Sequence, residues 1–156
     1  MFNKLLLLLL PIFAFSITHS VAQNTDALRK KHFNTKNSLA LAGYDVISYF
    51  SGKPVKGSAD HQFTYNGIIY HFSSPAHFET FKANPAIYEP QFGGWCAYAM
   101  GNTGEKVEVD PRTYKIIQGK LYLFYNRYFT NTLKSWNENE SNLLPQANKN
   151  WNKIYK

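Results

Sequence analysis

Apolar residues open the chain as one block, Leu5 to Leu10 followed by Ile12, Phe13 and Phe15, and then thin out until residue 38. From there short apolar runs alternate with turn signals. Leu39 to Phe50 forms the first run, and Ser51-Gly52-Lys53-Pro54 turns the chain. His61 to Tyr65 alternates in character, Asn66-Gly67 is the strongest two-residue hairpin signal, and Ile68 to Phe72 returns. Period 2 puts Ile68, Tyr70 and Phe72 on the core face and Ile69 and His71 on the outer one, so His71 is expected to be exposed. Ser74-Pro75 reads as an N-cap and first-turn proline. The short helix behind it buries Phe78, Phe81 and then Ile87 or Tyr88, with an interruption near Asn84-Pro85.

Strands are expected near 106–109, 114–118 and 120–125, parted by Asp110-Pro111 and by a turn at Gly119. In the last of these, Leu121, Leu123 and Tyr125 share one face and Tyr122 and Phe124 the other, which predicts cover on both sides. The C-terminal third has sparse apolar residues (Leu133, Trp136, Leu143, Leu144, Trp151, Ile154) and reads as two helices broken near Pro145, pinned to the sheet by tryptophans. The pattern predicts an α+β fold: a small antiparallel sheet (hairpin 61–72 plus the three later strands) packed by short helices, with a C-terminal helical segment.

The opening block changes the compartment. Lys4 ahead of it and Ser20-Val21-Ala22 behind it make residues 1–22 a signal peptide cut after Ala22. The block is too short for an ordinary membrane span and Pro11 breaks it, so no stable membrane insertion is expected after cleavage. No cysteine stands at the cleavage site, which excludes a lipid-modified bacterial lipoprotein. A periplasmic or secreted protein is expected, with a polar linker or frayed helix over 23–37 and a single domain over 38–156. The net charge is +7. Apart from Arg29-Lys30-Lys31 and a lysine-bearing tail the cations are scattered, the pattern of a soluble basic surface rather than a nucleic-acid site.

Candidate chemistry centres on one residue. Cys96 is the single cysteine, set in Gly93-Gly94-Trp95-Cys96-Ala97-Tyr98, where the glycines permit positive φ or close backbone approach. Cys96 is expected to open a short helical turn packed on the hairpin. In an oxidising compartment a lone thiol is buried, reactive, metal-bound or paired with another chain. His77 lies in the first turn of the Ser74 helix. The chain has no Gly-rich phosphate loop, no Gly-x-Ser-x-Gly, no His-Glu-x-x-His and no Cys-x-x-Cys. A Cys-His nucleophile would need Cys96 beside His32, His61, His71 or His77. A carboxylate pair would need two of Asp45, Asp60, Glu79, Glu89, Glu108 and Asp110 to converge, and nothing in their spacing brings them together.

The segment Tyr65 to Pro75, with Phe78, Phe81, Pro85 and Tyr88 after it, resembles a YHS domain. Gly43-Tyr44-Asp45, Phe92 to Tyr98, Asp110-Pro111 and Gly119 to Leu123 are similar to an exported branch of that family. The resemblance runs from about residue 38 to the C-terminus. It implies a small α+β unit related to treble-clef-like metal-binding modules. Metal-binding members carry Cys-Ser-Pro-x-Cys after the aromatic strand, and the matching positions here are Ser73 and His77. The resemblance carries no established enzymatic activity.

Three functions remain open at this level. The first is a non-enzymatic module binding a transition metal, copper first or else zinc, through Cys96 with His77 and Asp45. The second is a small-molecule or protein-partner binding domain with Cys96 merely packed and Tyr44, Tyr98 and Tyr122 supplying the surface. The third is a thiol-dependent enzyme or redox protein.

Overall fold

The computed structural model describes residues 25–155, so the expected leader over 1–22 lies outside the described residues. The fold is α+β. Residues 25–32 are helical (α1), followed by β1 (Thr35–Lys36) and β2 (Leu39–Ala40). Two 3-10 turns cover Leu41–Gly43 and Val46–Ser51. The hairpin is β3 (Ser58–Tyr65) and β4 (Ile68–Phe72), and α2 (Pro75–Ala83) and α3 (Pro85–Tyr88) follow it. A 3-10 turn at Gln91–Gly94 leads into α4 (Ala97–Asn102). The chain ends with β5 (Asp110–Ile117), β6 (Lys120–Phe124), β7 (Asn126–Arg127), β8 (Thr130–Asn131) and α5 (Thr132–Ile154). No described helix is long and apolar enough to cross a membrane.

The hairpin turn and its inner face form as the sequence predicts, but β3 starts earlier, at Ser58, and His71 is half-buried rather than exposed. Ile68, Tyr70 and Phe72 are buried, while Ile69 and His71 are half-buried on the outer face. Ser74 caps α2 by accepting from the His77 backbone amide, with Pro75 at the first helical position. Phe81 is the buried anchor of α2, 4.7 Å from the ring of Tyr70 and 5.2 Å from that of Phe72.

Several expectations need correction. The strands do not make one antiparallel sheet. They form a four-stranded sheet ordered β1-β2-β4-β3, in which β2 and β4 run parallel, and two separate two-stranded ribbons, β5-β6 and β7-β8. Residues 106–109 make no ladder strand; β5 instead begins at Asp110, where a break was expected. Pro111 is tolerated because the β5-β6 register shifts between Asp110 and Tyr114, relieving the ladder of an N–H that proline lacks. The C-terminal third is two helical stretches, as expected, but they meet at a kink at Asn139 and the second runs on through Pro145. Asn139 has φ −145°, and its side chain accepts from Asn142 Nδ2.

Of the linker-or-helix alternatives for the residues before the domain, the described part, 25–37, takes the helical one over 25–32. Arg29 is buried, its guanidinium paired with Glu89 and bonded through Nε to the Asn66 carbonyl at 3.0 Å, and it lies 4.3 Å from the Phe33 ring centre. Glu89 also accepts from the buried Tyr70 hydroxyl at 2.5 Å. Helix α1 is thereby tied to the hairpin and to the residue after α3.

Strand β6 divides the core, as its alternation predicts. Leu121 and Leu123 face the cluster built on Val46, Tyr49, Ile68, Tyr70, Phe72 and Phe81. Tyr122 and Phe124 face a second cluster with Met100, Trp136, Leu143 and Ala147. Trp136 does pin α5 to β6, 5.5 Å from Phe124. Trp151 reaches back to the start of the domain instead, against Phe33, and stacks on Tyr155. Helix α4 packs chiefly on α5, with Ala97 and Met100 against Leu143 and Ala147, while Cys96 and Ala99 join the core cluster of the hairpin. A Cβ on Gly101 would stand 2.7 Å from the Leu143 carbonyl oxygen, so this crossing requires glycine.

Candidate functional site

Two places gather the residues singled out above. The first is the Asp45-Ser73-His77 cluster. Asp45 caps the 3-10 turn Val46–Ser51, its Oδ1 accepting from the Ile47 amide at 2.9 Å. Its Oδ2 accepts from the Ser73 amide at 2.8 Å, the Ser73 hydroxyl at 2.6 Å and His77 Nδ1 at 2.6 Å. The carboxyl is completely buried. Burial alone would raise its pKa, but the Ser73 hydroxyl and amide and the His77 imidazole together outweigh it and hold the group below the usual carboxylate range. Because a carboxylate only accepts, the shared proton belongs to His77 Nδ1. Nε2 is then the free nitrogen, on a side chain about a third exposed.

This arrangement is not a nucleophile triad. In a triad the serine bonds Nε2 while the carboxylate holds Nδ1. Here Ser73 Oγ lies 3.3 Å from Nδ1 and gives its proton to Asp45. The cluster holds the imidazole by Nδ1 on a side chain about a third exposed, and it locks together the 3-10 turn, the end of β4 and the first turn of α2.

The second place is Cys96. It is completely buried at the N-cap of α4 and bridges to Leu123 of β6. Its Sγ lies 3.3 Å from Thr132 Oγ1 and accepts from the Tyr125 amide at 3.4 Å. The single Thr132 hydroxyl proton goes to the Tyr125 carbonyl at 3.0 Å, so the thiol S–H is the donor to Thr132. No histidine is among the hydrogen-bond partners of Cys96, which leaves the Cys-His pairing without a base. Gly93 and Gly94 both have positive φ, and a Cβ on Gly93 would stand 2.9 Å from the Trp151 ring and 3.1 Å from the Phe33 backbone.

The expected trio of Cys96, His77 and Asp45 does not assemble. Asp45 and His77 touch, whereas Cys96 is held by Thr132 and Tyr125. Among the described residues no three His, Cys, Asp or Glu side chains come together to hold a metal ion. The aromatic surface also differs from expectation. Tyr122 is buried in the second core, and Tyr44 is half-buried beneath the Lys56 ammonium, 4.3 Å from its ring centre. Tyr98 alone of the three lines the cavity beside Cys96.

That cavity measures about 230 Å³. Cys96, Tyr98, Ala99, Val107, Tyr125 and Thr132 form its walls, and the exposed Thr103 and Glu105 stand at its rim, joined by a 3.1 Å hydrogen bond. Sequence reasoning missed Thr132 because 36 residues separate it from Cys96 and a lone threonine at a helix start signals only a cap. Comparison with protein-family models, curated proteins and solved structures finds no match to this chain.

Proposed function

We propose that this chain is an exported, YHS-like binding domain rather than an enzyme, and that it takes a small, mostly apolar ligand into the cavity beside Cys96. The observation that carries the reading is the cavity itself, walled by two half-buried tyrosines and by a thiol whose proton is committed to Thr132. The pocket is open to solvent rather than enclosed, and its volume of about 230 Å³ leaves room for one ring with a short substituent laid against the tyrosines. Thr132 and the rim residues Asn102 and Thr103 can orient a polar group on it. The YHS-like reading is supported by the residues from Tyr65 to Pro75, which supply the aromatic strand, the turn and the capped start of α2.

Titration with phenol and indole, followed by the NMR signals of Ala99 and Tyr98, tests this reading. Saturable shifts are expected, and Thr103→Trp at the exposed rim should remove them. An absence of shifts at millimolar ligand, or shifts unchanged in the Thr103→Trp variant, would overturn it.

A second reading keeps a transition metal, copper or zinc, at His77. It is favoured by the carboxylate behind the ring, since a metal-binding imidazole ordinarily gives its other nitrogen to such a partner. The remaining ligands would be water or another molecule. Metal uptake lost in His77→Ala and retained in Cys96→Ser supports this version; uptake insensitive to His77→Ala sinks it.

A further inference from the structure

At the end of the β7-β8 ribbon two aromatic side chains stand in water. Tyr128 is 95% exposed and Phe129 106%. They are the two turn residues between the paired Arg127 and Thr130. Ile87, the other large apolar residue exposed among those described, is 50% exposed.

The choice of residues runs against local physics twice. Tyr128 has φ 55°, and where a two-residue hairpin turn needs positive φ at its first position, glycine or asparagine serves best. Two large rings in solvent also forgo any burial. Among the described residues nothing covers either ring, which points to a partner for them.

The chain on either side of the tip favours an anionic partner, although Glu108 lines the same pocket as Arg127. From Pro111 to Asn137 the sequence has no Asp or Glu, yet it carries Arg112, Lys115, Lys120, Arg127 and Lys134. Arg112 is paired with Asp110, and Lys115 with Glu140. Arg127, next to the aromatic pair, and Lys134, in the first turn of the helix that the ribbon enters, are both exposed and have no ion pair among the described residues.

We propose that this tip is a membrane-contact element, which sets Tyr128 and Phe129 into the interface of an anionic bilayer with Arg127 at the headgroup phosphates. A convex tip of two side chains offers far less than the roughly 800 Å² per partner of a stable protein interface. A lipid interface needs no matching pocket. Aromatic rings favour the headgroup level, and cations are drawn to anionic leaflets over about a Debye length. The contact is peripheral, and it is independent of the ligand reading above.

The test is co-sedimentation of the chain beginning at Gln23 with vesicles of equal parts phosphatidylglycerol and phosphatidylcholine, beside phosphatidylcholine alone. Binding to the anionic vesicles that falls as salt rises is expected. Tyr128→Gly with Phe129→Ser should weaken it by about tenfold or more, while the thermal midpoint holds or rises because the turn strain is relieved. Phe129→Ser alone, which leaves the turn backbone as it is, should show most of the loss. Equal binding by wild type and variants overturns the proposal. So does an absence of binding to either vesicle, which would point to a protein partner instead. A lower midpoint in both variants would assign the pair to folding and likewise overturn it.

Discussion

His77 Nδ1 lies 2.6 Å from Asp45 Oδ2 across 32 residues of chain, over a carboxylate with no exposure to solvent. The pair joins the first turn of α2 to the 3-10 turn after β2, and Ser73 closes the cluster from the end of β4. One buried charge therefore holds three elements in register, and it fixes the direction in which the imidazole faces.

Asp45→Asn should destabilise the fold by about 3 kcal/mol, because an amide cannot accept all four bonds and leaves buried donors short of a partner. The same group predicts an acid limb. Its folded pKa lies below the ordinary carboxyl value, so its stabilisation is present above about pH 4 and is lost as pH falls through the folded value. The urea midpoint of the wild type should fall more steeply below that pH than the midpoint of Asp45→Asn. Parallel acid profiles would contradict this assignment.

Cys96 should react slowly with methyl methanethiosulfonate in the native state and completely once the chain is unfolded, since its side chain is fully buried and bonded to Thr132. Cys96→Ser, which retains a donor to Thr132, should cost about 1–2 kcal/mol. Labelling of folded protein at the rate of a free thiol would refute the packed-thiol geometry.

Arg29→Ala should cost about 3–5 kcal/mol, since it leaves Glu89 charged beneath Tyr70 with its buried cation removed. Double replacement of Arg29 and Glu89 by Met and Gln should recover part of the loss. Chemical denaturation of the variants measures both, and a single-variant cost under about 0.5 kcal/mol, the value of an exposed pair, would show that α1 is only loosely attached.

Gly101→Ala places a methyl against the Leu143 carbonyl and should cost about 1–3 kcal/mol through displacement of α5 from α4. The thermal midpoint should drop accordingly, and near-UV circular dichroism from Trp136 should change with it. An unchanged midpoint would mean that the two helices are free to separate.

The hairpin and the start of α2 were legible from sequence because their signals are local. Asn66-Gly67 sets the turn, period 2 sorts Ile68, Tyr70 and Phe72 inward, and Ser74-Pro75 caps the helix within four residues. The two-sided burial of β6 was legible for the same reason. The C-terminal break was misplaced because Pro145 is a strong local signal, whereas packing of Trp136 and Leu143 against α4 and β6 keeps the helix continuous there. Arg29 read as part of a solvated basic run, because nothing near it in sequence points to Glu89, 60 residues away.

The sequence alone thus determined the α+β class, the hairpin with the inward face of β4, the capped start of α2 and the two-sided burial of β6. Tertiary structure alone decided which distant groups meet: Asp45 with His77 and Ser73, Cys96 with Thr132, and Arg29 with Glu89. Periodicity and capping act within a few residues, and so they can be read along the chain. A hydrogen-bonded pair across 32 or 36 residues depends on how whole elements pack, which a single chain's local pattern does not encode.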